Sequence, residues 1–172
     1  MLFAIHILPA FRNHQSIDAL RAKYDPLFNL IPPHITLVFP FESAMTVDAI
    51  TEHIRKSVGR MEPFRIVMAG ISGADEEYLF LNVKVGNDLL IDLHNKLYTG
   101  VLRKHLNRWF TYYPHLTIGR INDKQVFQSA LEDTAEFSET FETVVLEIVL
   151  ERIDDTGRSI IERTIPLCPS YG

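Results

Sequence analysis

Short apolar segments alternate along the chain with longer segments in which apolar residues recur every three or four positions. Short runs of this kind indicate β-strands, and the three-to-four spacing indicates amphipathic helices. In the first half the pattern predicts strands at 2–8, 34–41, 64–71 and 79–85, and helices at 16–24 and 47–58. Thr46 directly precedes the second helix, where its hydroxyl can cap free backbone amides.

The second half repeats the order of elements seen in the first half. Its pattern predicts a long helix at 88–106, a strand from His115, a helix capped by Asp123 that buries Val126, Ala130 and Leu131, and a hairpin of strands 144–153 and 159–167. Tyr78 follows His34 by 44 residues, and Ser159 follows His115 by 44 residues. Strands alternating with helices predict an α+β fold of mixed sheets. We expect a single domain over 1–172 with two similar lobes around a central groove.

One short motif occurs at equivalent points of this repeat, as Pro-His-Ile-Thr-Leu from residue 33 and Pro-His-Leu-Thr-Ile from residue 114. Residues two apart in a strand face the same side. Each motif therefore presents an imidazole and a hydroxyl to one surface, while Ile35 and Leu116 face the opposite, buried side. One such motif arises often by chance, but two copies at matching positions favour a functional role over a structural coincidence.

The paired motifs fit the chemistry of a phosphodiester. Its cleavage needs a base for the attacking oxygen and an acid for the leaving oxygen, and the pKa of histidine suits both roles. Thr36 and Thr117 can donate hydrogen bonds to the phosphate oxygens, where charge builds up. We therefore predict His34, Thr36, His115 and Thr117 as catalytic residues that work without a metal or cofactor.

The composition limits the kinds of substrate and partner that can be expected. The net charge of −5 disfavours a protein that coats long nucleic acid, so a nucleotide or an RNA end is the expected substrate. The single cysteine, Cys168, excludes an internal disulfide and a cysteine-based metal site, which fits a cytoplasmic protein. No apolar run reaches 18 residues, so no membrane partner is expected. The sequence leaves the oligomeric state open, with a monomer favoured.

The chain resembles the 2H phosphoesterase superfamily, whose signature is two His-x-Thr/Ser-x motifs, and within it the stand-alone bacterial branch related to 2′–5′ RNA ligases. The resemblance is carried by residues 24–26 (YDP), 30–37 (LIPPHITL), 96–102 (KLYTGVL) and 114–119 (PHLTIG). It implies a bilobal fold with a pseudo-two-fold axis and both motifs in a central groove. It also implies metal-free action on 2′,3′-cyclic phosphates, 2′–5′ linkages or ADP-ribose cyclic phosphate, with His34 and His115 as the acid–base pair.

Residues near the second motif are further candidates. Arg120 can bind phosphate, although strict alternation turns it away from His115 unless Gly119 bends the strand. Tyr113 can stack on a base, with packing as the alternative, and Tyr112 has the same two interpretations. We interpret the other five histidines as structural or exposed, and of these only His6, in the first strand, could border the groove.

Three functions remain open at this stage. The leading hypothesis is an enzyme acting on a cyclic nucleotide or RNA end. The alternative is a non-catalytic module that binds an RNA end or nucleotide phosphate in the same groove. The third hypothesis is a partner-binding protein in which the motifs are remnants. Both motifs are intact, which favours the enzyme.

Overall fold

One curled antiparallel sheet contains the eight strands of residues 1–168, the part of the chain that the computed structural model describes. The strands are β1 Leu2–Ile7, β2 Ile35–Glu42, β3 Phe64–Ala74, β4 Tyr78–Val85, β5 His115–Arg120, β6 Thr140–Val145, β7 Glu147–Ile153 and β8 Ser159–Pro166. Their order across the sheet is β6-β3-β4-β5-β2-β1-β7-β8, and all neighbours are antiparallel. The predicted α+β class is confirmed.

The sheet is antiparallel where mixed sheets were expected. Two of its neighbouring pairs, β3–β4 and β7–β8, are joined by short turns, which return the chain directly beside the preceding strand. Between β3 and β4, Asp75 and Glu76 both have a φ of 53°, which suits a tight hairpin. Between β7 and β8, the predicted turn is present, and the Asp154 carboxylate accepts hydrogen bonds from the backbone of Thr156 and Arg158.

Four α-helices and a 3₁₀ helix accompany the sheet in the described residues. They are α1 Gln15–Tyr24, α2 Val47–Val58, α3 Asn87–Leu97, the 3₁₀ helix Gly100–His105 and α4 Lys124–Thr134. Both predicted caps are confirmed: Thr46 accepts from the amide of Ala49, and Asp123 accepts from the amides that begin α4. Within residues 1–168 no helix has the length and apolar character that crossing a membrane requires.

The predicted helix 88–106 was wrong in its second part. The α-helix ends at Leu97, and the chain resumes as a 3₁₀ helix at Gly100, whose φ of +48° breaks the helical path. The predicted inner face of α4 was correct at Ala130, which is buried, and wrong at Val126, which is exposed. Phe127 takes the inward position instead, and Leu131 packs against the core while partly buried.

The predicted strand 144–153 is two strands that lie far apart in the sheet. β6 pairs with β3 at one edge, and β7 pairs with β1 near the other. The single residue Leu146 joins them, and its carbonyl accepts a hydrogen bond from the amide of Leu167, just after β8. The two ends of the sheet therefore meet at Leu146, and the sheet curls.

The motif strands β2 and β5 are neighbours at the centre of the sheet. Their inward residues Ile35, Leu37, Leu116 and Ile118 are fully buried, as alternation predicted for Ile35 and Leu116. Helix α1 packs against β5 and helix α3 against β2. This packing fixes both motif strands from behind and leaves their other face open.

Candidate active site

The register between β2 and β5 brings the two motifs together. Ile35 lies directly opposite Leu116 on the buried face. Extending this antiparallel register by one residue places His34 opposite Thr117, and Thr36 opposite His115. Directly opposite residues have Cβ atoms about 5 Å apart, and diagonal neighbours are separated by about 7–8 Å. The two imidazoles thus occupy one diagonal of a four-residue cluster, and the two hydroxyls occupy the other.

Each imidazole is oriented by the backbone of its own motif. His34 Nδ1 lies 2.9 Å from the carbonyl oxygen of Pro32, and His115 Nδ1 lies 2.6 Å from that of Tyr113. A carbonyl only accepts, so Nδ1 carries the proton in both rings. In the neutral rings this leaves each Nε2 with a free lone pair, the form that accepts a proton.

The two imidazoles stack on different rings of the neighbouring strands. His34 lies against His6 of β1, with ring centroids 4.3 Å apart, and His115 lies against Phe80 of β4 at 3.5 Å. His6 is paired in register with Thr36, and Phe80 is paired with Thr117, so the two supporting rings occupy equivalent places.

His6 is a buried polar residue at the edge of the site, beside the first motif. The sequence indicated that His6 is structural or exposed and that it could border the groove. In the structure His6 lies beside the first motif, and its side chain is buried, with 3% exposure. Its Nδ1 lies 3.3 Å from a carboxylate oxygen of Glu151 on β7, which is 1% exposed. Sequence reasoning missed Glu151 and Phe80, because only long-range strand pairing brings them to the motifs.

Burial sets the charge of both motif histidines. It lowers the pKa of His34 to about 3, and the positive charges of His6 and Arg21 act in the same direction. Burial also lowers the pKa of His115, against a smaller opposing effect of the Tyr113 carbonyl. Both imidazoles are therefore neutral at pH 7 in the free protein.

Arg120 lies on the open face of the sheet. A bulge in β5 sets Phe80 opposite Thr117 but Tyr78 opposite Arg120, so strict alternation is interrupted between them. Next to the bulge, Gly119 lets Tyr24 approach the strand, because a Cβ at position 119 would lie only 2.7 Å from the Cβ of Tyr24. The Arg120 guanidinium is paired with Glu77 at 2.5 Å and lies over the ring of Tyr78.

The two tyrosines before the second motif have different surroundings. Tyr113 is half-exposed, its ring lies 6.2 Å from that of His115, and its hydroxyl donates to Asn82. Tyr112 stacks on His94 and donates its hydroxyl to the carbonyl of Thr36. Tyr113 is thus available to a ligand beside His115, while Tyr112 connects the approach to β5 with the first motif.

A cavity of about 120 Å³ adjoins the first motif. Its polar lining consists of His6, His34, Thr36, Glu151 and Ser159. A larger cavity of about 680 Å³ lies between the end of α2 and the start of β3, and neither motif histidine lines it. Within residues 1–168, no three His, Cys, Asp or Glu side chains are grouped so that they could hold a metal ion.

Residues 8–157 match the profile of the family described as the 2′-5′ RNA ligase superfamily. The chain belongs to the 2′-5′ RNA ligase superfamily. The match covers both motifs and most of the chain, in agreement with the resemblance seen in the sequence. The family therefore extends over the strands that carry His34 and His115.

Bacterial proteins are among the relatives of this chain in sequence. A protein of Oceanobacillus iheyensis named "Putative phosphoesterase" is 33% identical over 133 residues, which are 76% of this chain and 77% of the relative. A second protein of that name, from Geobacillus kaustophilus, is 32% identical over 123 residues, which are 70% of this chain and 69% of the relative.

Solved structures share the fold of this superfamily member. TT0787 of Thermus thermophilus has a TM-score of 0.65 at 15% identity, covering 99% of this chain and 100% of that chain. E. coli LigT complexed with 3′-AMP has a TM-score of 0.59 at 18% identity, covering 96% and 97%. LigT complexed with ATP gives a TM-score of 0.56 at 17% identity, covering 97% and 98%. At these identities the likeness describes the fold alone.

Proposed function

We propose that this chain is a metal-independent phosphoesterase that acts on a 2′,3′-cyclic phosphate or a 2′–5′ phosphodiester of a nucleotide or RNA end. The observation that carries the proposal is the four-residue cluster at the β2–β5 junction, with its histidines on one diagonal and its threonines on the other. A phosphate placed over the cluster meets an imidazole from each strand and a hydroxyl from each strand.

The proposed reaction transfers two protons. One imidazole Nε2 takes a proton from the attacking water as its oxygen bonds to phosphorus. The other imidazole, in its protonated form, gives a proton to the ribose oxygen as the bond from that oxygen to phosphorus breaks. Thr36 and Thr117 donate hydrogen bonds to the non-bridging oxygens, which carry growing negative charge. The product is a phosphate monoester with one free ribose hydroxyl.

Substrate binding can produce the state in which one histidine is neutral and the other is protonated. Both histidines are neutral in the free protein, because burial lowers the pKa of each. A bound phosphate anion favours a proton on one of them, since an opposite charge within a few ångströms stabilises the imidazolium. We therefore expect substrate binding to take up a proton.

The substrate class is supported from two directions. E. coli LigT, which has the same fold, is known in complexes with ATP, NADP+ and 3′-AMP. In this chain, Tyr113 offers an exposed ring beside His115, and Arg120 offers a cation on the same face. We assign these two residues to substrate binding, with Arg120 leaving Glu77 to contact a phosphate.

The test measures turnover of 2′,3′-cyclic nucleotides, 2′–5′ dinucleotides and ADP-ribose cyclic phosphate from pH 5 to 9, with and without EDTA. We expect product formation that EDTA leaves unchanged, with a bell-shaped rate because the base must be neutral and the acid charged. His34→Ala and His115→Ala each lower the rate by about 10²–10⁴. The double variant loses less than the product of the single losses, because the residues act as a unit.

The alternative function is a non-catalytic module that binds a nucleotide phosphate or RNA end. The lowered pKa values of both histidines are the observation that keeps it open, because a binder needs no charged acid before its ligand arrives. Its affinity for a cyclic nucleotide would strengthen steadily as the pH falls, with no product. Such a result with all three substrate classes would show that the protein is a binding module and not an enzyme for these substrates.

A further inference from the structure

The two halves of the site differ in the ring that supports each motif histidine. His34 stacks on an ionisable ring, His6, whereas His115 stacks on the hydrocarbon ring of Phe80. Both supporting residues are paired in register with the threonine of the motif beside them, so this is a difference at equivalent positions. His34 and His115 therefore make the same kind of backbone contact but lie against different rings.

Glu151 is the carboxylate that contacts His6. It is 1% exposed, and one of its oxygens lies 3.3 Å from His6 Nδ1, while the other accepts a hydrogen bond from the hydroxyl of Ser159. A buried carboxylate is strongly disfavoured unless a cation accompanies it. The imidazole of His6 is the group beside Glu151 that can serve as this cation.

A protonated His6 acts directly on His34. A second proton, on His34, would place two like charges in rings whose centroids are 4.3 Å apart. Under His115, by contrast, the face of the Phe80 ring attracts a cation. The geometry therefore opposes an imidazolium at His34 and favours one at His115.

Other charged groups around His34 do not reverse this difference. Arg21, on α1, also disfavours a proton on His34, but its guanidinium is paired with Asp25 at 2.8 Å. His115, on β5, disfavours a proton on His34 whenever it is itself charged. From β1 and β7, the charges near His34 are those of His6 and Glu151, and they are the groups that distinguish the two motifs.

The geometry points to His6 and Glu151 as positioning residues that keep His34 unprotonated, so that His34 takes the proton from the attacking oxygen and His115 donates one to the leaving oxygen. This inference rests on the proposed acid–base function. It adds a pair of residues outside both motifs that divides the two roles between otherwise similar histidines.

The charge states can be measured without a substrate. Nitrogen-15 and carbon-13 NMR of the labelled wild-type protein reports the protonation of each imidazole as a function of pH. At pH 7 we expect an imidazolium signal for His6 and a neutral ring with the proton on Nδ1 for His34. A neutral His6 at pH 7, or a charged His34, would overturn the inference.

A double variant tests the cause. His6→Phe copies the arrangement under His115, and Glu151→Gln, made together with it, avoids an unpaired buried carboxylate. The titration midpoint of His34 should rise by about one pH unit or more once the neighbouring positive charge is gone. His14→Phe is the matched control, because it breaks an exposed histidine–carboxylate contact with Asp18 outside the site. It should leave the midpoint of His34 unchanged.

An unchanged His34 midpoint in a folded double variant, verified by its NMR spectrum, contradicts the inference.

The pH dependence of the rate tests the two catalytic roles separately. With a cyclic nucleotide, the acid limb should move to higher pH in the double variant while the alkaline limb stays. Movement of the alkaline limb instead would make His34 the acid. Absence of turnover in the wild-type protein would defeat the proposed function, while the NMR titrations would still decide whether His6 and Glu151 control the charge of His34.

Discussion

At the scale of single residues, the backbone fixes the orientation of both motif histidines. The Nδ1 protons of His34 and His115 are committed to backbone carbonyls of residues two positions earlier, so they are not available to a ligand. The hydroxyls of Thr36 and Thr117 stand beside them on the open face, each opposite a histidine of the other strand. In the proposed reaction, these hydroxyls are the donors to the charge that develops on a phosphate.

The threonine hydroxyls can be tested by removing one oxygen atom. Thr36→Val and Thr117→Val keep the β-branched shape that suits a strand, so the fold should be retained. Turnover should fall by about 10²–10³ in each variant, because a donor to the developing charge is lost. Steady-state rates on a cyclic nucleotide provide the measurement, and Thr164→Val on the exposed edge strand β8 is the control. Wild-type rates in both variants would show that the hydroxyls do not contact the phosphate.

Local residue patterns were enough to predict which face of the strand carries the motif side chains. The two-residue spacing of His34 and Thr36 places both on one side of a strand, whatever the rest of the chain does. The bulge that redirects Arg120 was harder to foresee, because it is defined only by the pairing of β5 with β4. His6 shows the same limit, since its role follows from pairing with Thr36 along β1 and β2.

At the scale of elements, a buried ion pair connects α1 to the first motif. Arg21, 1% exposed, donates to the carboxylate of Asp25 and to the carbonyl of Ile31. The next residue, Pro32, provides the carbonyl that orients His34. Arg21 thus fixes the loop from which the first motif histidine receives its orientation.

Breaking this pair should weaken both the fold and the site. Arg21→Leu leaves Asp25 as a buried carboxylate without its partner, which costs about 3–5 kcal/mol in the free energy of unfolding. Urea unfolding measures this loss, and the turnover of the folded fraction should fall because the loop is released. Lys23→Ala, two residues away, removes an exposed contact with Asp133 and should leave the unfolding midpoint unchanged. Equal midpoints for both variants would show that the buried pair does not stabilise the loop.

The boundaries of helices and strands were predicted correctly where a local chemical signal marks them. The caps at Thr46 and Asp123 and the turn at 154–157 are chemical signals confined to a few residues. The run from Val144 to Ile153 gives no such signal, and its division at Leu146 depends on which distant strands each piece pairs with. Gly100 ended a helix that the apolar spacing alone would have continued.

At the scale of the whole molecule, the lowered pKa of His34 couples folding to pH. Unfolding returns the pKa of His34 from about 3 to its ordinary value of about 6.5, so between these values the unfolded chain binds the additional proton. The contribution of His34 to the free energy of unfolding therefore rises with pH across this window and is constant above it.

This coupling predicts a difference between two unfolding series. The wild-type protein and His34→Asn should be unfolded in urea at intervals from pH 4 to pH 8. As the pH falls below about 6.5, the wild type should lose more stability than the variant, because only the wild type has this proton to bind on unfolding. The carboxylates titrate in both proteins and cancel in the comparison. Parallel stability curves would mean that His34 has an ordinary pKa in the folded protein.

The order of strands is the part of the fold that the sequence did not reveal. Equal spacings of 44 residues lead from each motif histidine to Tyr78 and Ser159, and strands do begin at both. Yet β4 lies beside β5 inside the sheet, whereas β8 forms an edge. Spacing along the chain predicts where strands begin, but their neighbours are decided by contacts between residues far apart in sequence.

The placement of β5 between β4 and β2 has a consequence for how the site comes into being. Both neighbours of this strand belong to the first half of the chain, which leaves the ribosome first. Until β5 pairs with them, the facing edges of β2 and β4 have unpaired backbone groups. The strand that satisfies both edges is also the strand that brings His115 and Thr117 beside the first motif. Completion of the centre of the sheet and assembly of the two motifs are therefore the same event.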